Sequence, residues 1–408
     1  MFYVGIDWAD QKHDVTVVDQ EGEFVLKPMT IEKSYRGFEK LSTTLRTLCG
    51  DPQEFRVGIE TEHNLLVDYL LDLDYPVFVL FAGLMPELRK RYRISGAHDD
   101  GFDAFVLADA IRTDKRCWRR VNFGSELTRQ IRILARDHHT LIDKQVVLKN
   151  SFRATLNLYY PEYIHCFGKV SCKTSVAFIQ AYPDFTSARQ LSLEQLKEFF
   201  KEHHYNSKQA VQRIYTILHQ EHLPVPKPLL DTKRFKAVML AKRSQQMVQD
   251  VDQYDKRLEK LVKQHPDAEI FLSYPGVSHI NAARLISFFG DVRERFRDVS
   301  EVQALAGTCP VTDKSGKSHH AIYFRRACNK YYRHLIHQVA FTSLTQCQWA
   351  KKFYKKHRKH SKNHSHALRC LSNVHLKILF AMWKKQTCYD EKVFLAQRES
   401  NKLSMVNE

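Results

Sequence analysis

Four acidic residues near the N-terminus have the types and the spacing of a metal site. Asp7 and Glu60 each follow a short apolar run, while Asp100 and Asp103 lie three residues apart in a helix-favouring segment. Residues three apart share one face of a helix, where two carboxylates repel each other unless a cation neutralises them. Hard divalent cations prefer oxygen ligands, so the acids are a candidate ligand set. Taken alone, the segment that contains Asp100 and Asp103 is better explained as an amphipathic helix with its acids in solvent than as part of a metal site.

A serine in a basic segment is the second candidate for chemistry. Ser315 stands in the small, polar segment 313–318, which we expect to be a flexible loop, and histidines, arginines and lysines follow it. A serine among cations has the chemistry needed to bind a phosphate or to attack one. Most Ser-Gly dipeptides form turns, so an ordinary basic loop is the alternative for this segment.

The overall charge points to a polyanionic partner. The chain has 408 residues, enough for two or three domains, and a formal net charge of +17. Nucleic acid is the first candidate partner and a membrane surface the second. No apolar run approaches the roughly 18–20 residues that span a bilayer, and no signal peptide is recognisable. Nine scattered cysteines without CxxC pairs predict reduced thiols, so we expect a cytoplasmic protein.

The first 120 residues predict an α/β domain. Apolar runs and turn signals give the order strand, strand, strand, helix, strand, helix, strand, at residues 2–6, 13–18, 23–29, 31–49, 55–59, 65–71 and 75–81. The acidic helix follows them. This order resembles the RNase H-like fold, in which carboxylates from strand ends and a later helix converge around two divalent metals. Taken separately, Asp7 and Glu60 also fit turn or cap positions.

Two heptad patterns predict long helices in the middle of the chain. The seam positions alternate in steps of four and three, at 127, 131, 134, 138, 141, 145, 148 and 152, and again at 240, 244, 247, 251, 254, 258 and 261. A coiled coil within one chain or between chains, or a helical bundle, would satisfy this pattern. Segment 159–235 between them predicts a helical elaboration, including a helix at 193–203 with Ser192 as its N-cap.

Two features of the C-terminal block suit nucleic acid. Residues 274–277 precede a predicted helix at 281–289, an arrangement typical of helix-hairpin-helix units whose backbone amides bind phosphates. Residues 351–366 are a basic run with interleaved aromatics, which favours nucleic acid of any sequence. A solvated basic face is the alternative for this run. The apolar helix predicted at 368–383 should pack back on the block.

Together these motifs resemble one known family, the insertion-sequence transposases with an N-terminal RuvC-like DEDD domain and a C-terminal serine domain. Its relatives include the Piv DNA invertases, and its better-understood members are guided by a bridge RNA. The resemblance covers most of the chain and is weakest in 159–235. Its colinear motifs are Gly5-Ile6-Asp7, Ile59-Glu60, Asp100-Gly101-Phe102-Asp103-Ala104, Pro275-Gly276-Val277, Gly290-Asp291, Phe296, Ala306-Gly307, Pro310 and Ser315-Gly316.

The resemblance implies a RuvC-like domain at 1–120, a helical and coiled-coil region at 121–265, and a serine transposase domain at 266–408. It also implies a DNA strand cleavage and transfer reaction in which Ser315 forms a transient phosphoserine. The implied ligands of magnesium, as one or two ions, are Asp7, Glu60, Asp100 and Asp103. Two other acids of the helix fall off the motif and should be dispensable as ligands, namely Asp99 and Asp109.

The resemblance further implies nucleic-acid partners and self-association. The partners would be double-stranded target and donor DNA and a non-coding bridge RNA, which supplies specificity by base pairing. The heptad helices could hold the subunits of a dimer or tetramer, in the bacterial or archaeal cytosol near the nucleoid. Phosphates would contact the cations around the serine and in the basic run, namely Lys314, Lys317, Arg325, Arg326, Lys330, Arg333, Lys355, Lys356 and Arg358.

Two other functions fit parts of the sequence. A RuvC- or RNase H-like metal-dependent nuclease would use water in place of Ser315, so Ser315→Ala would leave cleavage intact. A non-catalytic nucleic-acid-binding protein would keep its activity in Asp7→Ala and Asp103→Ala. The transposase is favoured because a scaffold has no reason to place four acids in metal-site order within so basic a chain.

Overall fold

Two structural units make up the chain, Met1–Asn122 and Phe123–Glu408, and each contains its own buried apolar core. The structure is a computed structural model that describes residues 1–61, 64–80, 82–92, 100–114, 118–122, 124–205, 207–315, 319–361 and 363–396.

A mixed six-stranded sheet forms the first unit together with its helices. The strands are β1 (Phe2–Trp8), β2 (Lys12–Val18), β3 (Met29–Glu32), β4 (Phe55–Ile59), β5 (Val77–Val79) and β6 (Arg119–Arg120). The helices are α1 (Tyr35–Leu48), α2 (Leu65–Asp72), α3 (Met85–Arg89) and α4 (Asp100–Thr113). The strand order is β3-β2-β1-β4-β5-β6, in which β1 runs antiparallel to β2 and parallel to β4.

The central strands β1 and β4 are apolar because both of their faces are covered. Val4, Ile6, Val57 and Ile59 are all fully buried. A parallel pair in the middle of a sheet is typically covered on both sides, which explains the continuous apolar runs. The predicted α/β order of this unit is confirmed, and the mixed sheet is consistent with an RNase H-like domain.

Two element boundaries differ from the prediction. The helix predicted from residue 31 begins at Tyr35, because Ile31 pairs with His13 in the sheet. Ser34 is the N-cap of this helix, and its side chain accepts a hydrogen bond from the backbone N–H of Gly37 at 3.1 Å. The strand predicted at 75–81 is shortened to β5, since Pro76 has no N–H to donate to a ladder.

The turn after β2 is also broader than the predicted hairpin. The Asp19 carboxylate accepts hydrogen bonds from the backbone N–H groups of Glu21, Gly22 and Glu23 at 2.9–3.0 Å. These bonds hold the chain in a turn, and β3 starts only at Met29 rather than at residue 23. β2 and β3 nevertheless pair antiparallel, as the hairpin prediction requires.

The second unit is helical apart from one hairpin. Its helices are α5 (Glu126–Tyr159), α6 (Pro161–Cys166), α7 (Lys173–Ala181), α8 (Phe185–Arg189), α9 (Leu193–Glu202), α10 (Lys208–Leu218), α11 (Lys227–Gln264), α12 (Ala268–Leu272), α13 (His279–Phe289), α14 (Val299–Leu305), α15 (Lys330–Gln346), α16 (Gln348–Ser361) and α17 (His364–Lys385). The antiparallel hairpin consists of β7 (Val311–Ser315) and β8 (His319–Tyr323).

The two longest helices, α5 and α11, pair with each other within the chain. The predicted heptad positions Ile131, Phe152, Leu240 and Leu258 are buried at the two ends of this pair. One end belongs to a core formed with α6–α10, and the other to a core formed with α12–α15 and α17. Between them, at the polar seam position His138, the imidazole Nε2 lies 3.0 Å from an Asp255 carboxylate oxygen.

Several local predictions in the second unit are confirmed. Ser192 caps α9, and its side chain accepts a hydrogen bond from the backbone N–H of Gln195 at 3.2 Å. α13 ends at Gly290, whose φ of +72° favours glycine. The apolar helix α17 packs on the C-terminal core, where Trp383 is fully buried.

The basic run 351–366 has a simple structural explanation for its aromatic residues. Most of the run lies in α16, where Trp349 is 5% exposed and packs in a small apolar cluster with Phe353 and Tyr354 against α17. Lys355 and Lys356 lie on the exposed face of the same helix. The interleaving of aromatics and lysines is therefore the pattern of an amphipathic helix.

Candidate metal and nucleic-acid sites

Two matching triplets place the first two acids side by side. β1 contains Gly5-Ile6-Asp7, and Gly58-Ile59 ends β4 just before Glu60. The parallel register pairs Gly5 with Gly58 and Ile6 with Ile59. Asp7 and Glu60 each follow the last paired residue, so both emerge at the same carboxyl edge of the sheet.

The two paired glycines let the acidic helix lie directly on these strands. A Cβ at Gly5 would lie 1.8 Å from the carbonyl oxygen of Ala104, and one at Gly58 would lie 2.0 Å from Ile111 Cδ1. At Gly5 the nearest atoms belong to the backbone of α4, so the close approach requires glycine there, whereas at Gly58 the nearest atom is the end of a side chain that can shift. Asp103, which precedes Ala104, is thereby brought to the edge where Asp7 and Glu60 emerge.

An arginine that the sequence prediction did not include completes this cluster. Arg89, at the end of α3, forms a bidentate ion pair with Asp103, with Nε–Oδ1 at 2.6 Å and Nη2–Oδ2 at 2.5 Å. The pKa of Arg89 is raised by its hydrogen bond to Asp103 and by the charges of Glu60 and Asp7. Of the four predicted ligands, Asp103 therefore contacts the guanidinium, and Glu60 and Asp7 lie within electrostatic range of it.

Glu60 shows that the cluster lies in poorly solvated surroundings. Its pKa is raised, first by burial and then by the charge of Asp103, while Arg89 partly offsets both effects. The Asp103 side chain is only 7% exposed. Carboxylate oxygens gathered around a cation position fit a divalent ion such as Mg²⁺.

The fourth predicted ligand, Asp100, is the first residue of α4, and its side chain lies outside the described part of the structure. In that described part, no three histidine, cysteine, aspartate or glutamate side chains are placed so that they could hold a metal ion by themselves. The tetrad as a ligand set therefore stays a prediction.

Asp109, on the same helix, has a different role. It is 5% exposed and accepts hydrogen bonds from Tyr92 Oη and from Arg112 Nε, the latter at 2.8 Å. The interpretation of this helix as one with solvated acids is wrong for both Asp103 and Asp109. Asp109 faces away from the cluster towards its own partners, while Asp99 lies outside the described residues.

Ser315 is the last residue of β7, so the expected loop begins later than predicted. Its register partner across the hairpin is His319. The loop expectation is wrong for residues 313–315, because they pair in the ladder. The connecting residues 316–318, which include Lys317, lie outside the described part of the structure, as do the side chains of Lys314 and Ser315.

The remaining predicted nucleic-acid contacts fall into two groups. The first follows the hairpin and enters α15, with Arg326 and Lys330 exposed and Arg325 and Arg333 partly buried. The second group lies on α16 and consists of Lys355, Lys356 and Arg358. No helix in the described part of the chain is long and apolar enough to cross a membrane.

Comparison with known proteins identifies the class. Residues 4–161 match the DEDD transposase domain of the IS110 type, and residues 268–355 match the transposase domain of the IS116/IS110/IS902 family. The first match contains the carboxylate cluster, and the second contains the hairpin with Ser315. Both matches belong to transposases, the DNA recombinases of insertion sequences.

More particularly, the chain contains both transposase domains of the IS110/IS116 type. The putative transposase of the IS117 mini-circle of Streptomyces coelicolor is 29% identical over 96% of this chain and 95% of its own length. An uncharacterised 44.8 kDa protein of insertion element IS116 from Streptomyces clavuligerus is 23% identical over 95% of this chain and 96% of its own. The chain is thus a DNA transposase, and its DEDD-type domain implies dependence on a divalent metal ion.

Proposed function

We propose that this transposase cuts and rejoins DNA by means of a magnesium-dependent carboxylate site and a serine nucleophile. The observation that carries the proposal is that Asp103 contacts Arg89 while Asp7 and Glu60 lie within electrostatic range of the same cation, in a DEDD transposase domain. Asp100, at the first turn of α4, would be the fourth ligand. The bound magnesium would stabilise negative charge on the reacting phosphate oxygens.

Ser315 would be the nucleophile. Its hydroxyl oxygen bonds to the phosphorus, the phosphorus–oxygen bond to the leaving sugar oxygen breaks, and the hydroxyl proton is returned to that leaving oxygen. One phosphoester is exchanged for another, so the reverse step can rejoin a strand without an external energy source. Support comes from the place of Ser315 at a strand end, with a group of arginines in the segment that follows.

The choice of DNA site and the assembly are proposed from the family resemblance. A bridge RNA would select target and donor DNA by base pairing, and two or four copies of this chain would assemble on them in the cytoplasm. The net charge of +17 suits a protein that holds both nucleic acids. In this scheme the working domains are those predicted at 1–120, 121–265 and 266–408.

A trapping experiment tests the serine. The purified chain is incubated with DNA spanning an end of its own element, with RNA transcribed from the adjacent non-coding segment, and with Mg²⁺. A protein–DNA adduct should survive denaturing electrophoresis. Ser315→Ala should abolish the adduct, whereas Thr312→Ala, which removes an exposed hydroxyl from the same strand, should keep it.

The outcomes separate the candidate functions. An adduct that persists in Ser315→Ala would exclude Ser315 as the nucleophile. Cleavage that continues in Ser315→Ala without any adduct would favour the nuclease that uses water. Asp103→Asn should abolish cleavage and Asp109→Asn should preserve it, because only Asp103 lies at the cluster. Equal loss in both variants, with both still folded, would contradict the assignment of the metal site.

A further inference from the structure

An arginine cluster lies where β8 leads into α15, and one of its members was not among the predicted contacts. The guanidinium carbons of Arg333 and Arg369 lie 4.5 and 3.9 Å from the centroid of the Phe324 ring. Arg333 Nη2 also donates a hydrogen bond to the backbone carbonyl of Arg325 at 2.5 Å. Stacking on an aromatic ring fixes a guanidinium in place and leaves its other edges able to bind an anion.

The positive charge of this cluster is not balanced by acidic residues. In the described ranges 207–315, 319–361 and 363–396, neither Arg325, Arg333 nor Arg369 forms an ion pair with an aspartate or a glutamate. The Nε atoms of all three are buried without a hydrogen-bond partner in those ranges, and so is Nε2 of His337. Like charges that are partly removed from water without a counter-ion are costly, so such a cluster needs an anion.

The titration behaviour of the neighbouring groups agrees with this geometry. The pKa of Arg369 is lowered by burial and by the charge of Arg333. The pKa of His337 is lowered to about 4 by burial and then by Arg369 and Arg333, so the imidazole is neutral near pH 7. The histidine is therefore a neutral polar neighbour of the arginines and adds no positive charge to the cluster.

The backbone makes room for the cluster. At Gly307, where φ is +64°, a Cβ would lie 2.5 Å from Arg333 Nη2 and 2.7 Å from Cys328 Sγ. The close approach of the 306–307 turn thus places the Arg333 guanidinium and leaves no space for a side chain. A charged group held this firmly is arranged before its ligand arrives, which lowers the entropic cost of binding.

We propose that Arg325, Arg333 and Arg369 form a docking site for a backbone phosphate of DNA, distinct from the phosphate that reacts. The planar guanidinium fork matches the oxygens of a phosphodiester. Val311 pairs with Tyr323 at the cluster end of the hairpin, and Ser315 pairs with His319 at the other end. Four residues of strand separate the ends, which is roughly 14 Å.

That separation gives the site a positioning role. Along the axis of a DNA duplex roughly 14 Å corresponds to about four nucleotides of one strand, at 3.4 Å per nucleotide. A phosphate docked at the cluster would set the register of the strand that runs along the hairpin towards Ser315. This inference rests on the proposed function in that it takes DNA as the substrate.

A binding measurement tests the docking site without requiring chemistry. Fluorescence anisotropy follows binding of the full chain to a labelled DNA duplex of mixed sequence, in EDTA and over a range of salt concentrations. Arg369→Gln should weaken binding by up to about eight-fold at 0.1 M salt and reduce the slope of log K against log salt by up to about 1, the effect of losing one phosphate contact. The matched control is Lys377→Gln, which removes an exposed charge from the same helix. It should change affinity less than two-fold because a distant exposed charge is screened.

Thermal melting separates docking from a structural role. Since Arg369 and Arg333 repel, Arg369→Gln should melt no lower than the unsubstituted chain. Arg325 lies outside regular structure, and Arg325→Gln should reproduce the loss of affinity if Arg369→Gln fails to fold. The docking site is refuted if the folded arginine variants bind DNA with the same affinity as Lys377→Gln. It is also refuted if the same anisotropy assay with labelled RNA shows weaker binding while DNA binding is unchanged. Failure of the unsubstituted chain to bind DNA at all would instead refute the proposed function.

Discussion

Arg89→Gln should destabilise the metal-free protein and increase its response to metal. Arg89 neutralises Asp103 and lies within electrostatic range of Asp7 and Glu60. In the proposed function, Arg89 therefore competes with the divalent ion for these carboxylates. Removing Arg89 takes away the ion-pair partner of the buried Asp103, and it also removes the competitor for the metal.

The magnitude follows from the burial of the pair. Breaking a buried ion pair by removing one partner costs about 3–5 kcal/mol. Because the Arg89 side chain is 27% exposed and that of Asp103 is 7% exposed, water screens the pair in part and we expect a smaller loss, roughly 2–3 kcal/mol. A divalent ion at a hundred times its Kd stabilises by about 2.7 kcal/mol, so metal should restore most of the loss.

The assay is thermal unfolding in EDTA and across a titration with Mn²⁺ or Mg²⁺, with the metal Kd measured separately by calorimetry. Arg112→Gln is a matched control, because Arg112 and Asp109 form a similarly buried pair on the same helix, with side chains 24% and 7% exposed. Arg112→Gln should lose stability in EDTA without any gain in metal response. The reasoning is refuted if Arg89→Gln is as stable as the unsubstituted chain in EDTA, or if its metal Kd matches that of Arg112→Gln.

Two further predictions concern the same edge of the sheet. The raised pKa of Glu60 means that its ionised form disfavours the folded metal-free state above the ordinary glutamate pKa, and that this penalty disappears as the pH falls below that value. Glu60→Gln should therefore raise the midpoint of urea unfolding in EDTA at pH 7, and a difference that persists unchanged to pH 3 would contradict this cause. Gly5→Ala should lower the free energy of unfolding by more than about 3 kcal/mol, because its Cβ would lie 1.8 Å from the Ala104 carbonyl oxygen. Gly50→Ala, where nothing lies within 4 Å, should change the free energy of unfolding by less than about 0.5 kcal/mol, and equal effects at the two glycines would refute the packing argument.

Local sequence patterns were sufficient to predict most of the strands and helices. The strand at 55–59, the helix from 65 and the cap at Ser192 could all be predicted because period, apolar runs and capping side chains are properties of neighbouring residues. The boundaries that were wrong depend on the pairing of one strand with another. Ile31 is in a strand because it pairs with His13, and residues 313–315 are in a strand because β8 pairs with them.

The candidate site shows the same division. The types and order of its acids were visible in the sequence, and the pairing of Gly5 with Gly58 had a signal in the two Gly-Ile-acid triplets. Arg89 had no such signal, since several arginines and lysines stand close to it in the sequence. Which of them reaches Asp103 depends on how α3 packs against α4. The role of Asp109 likewise depends on Tyr92 and Arg112.

The sequence by itself determined the four acids, the serine in a basic setting, the long helices and the excess of positive charge, because these are matters of residue type and spacing. Only the tertiary structure decided which charges meet. It placed Arg89 among the acids and gathered Arg333 and Arg369 on Phe324 without an acidic partner among the described residues. The physical reason is that the strength of an ion pair or an uncompensated charge depends on distance and burial, and both arise from contacts between segments far apart in the chain.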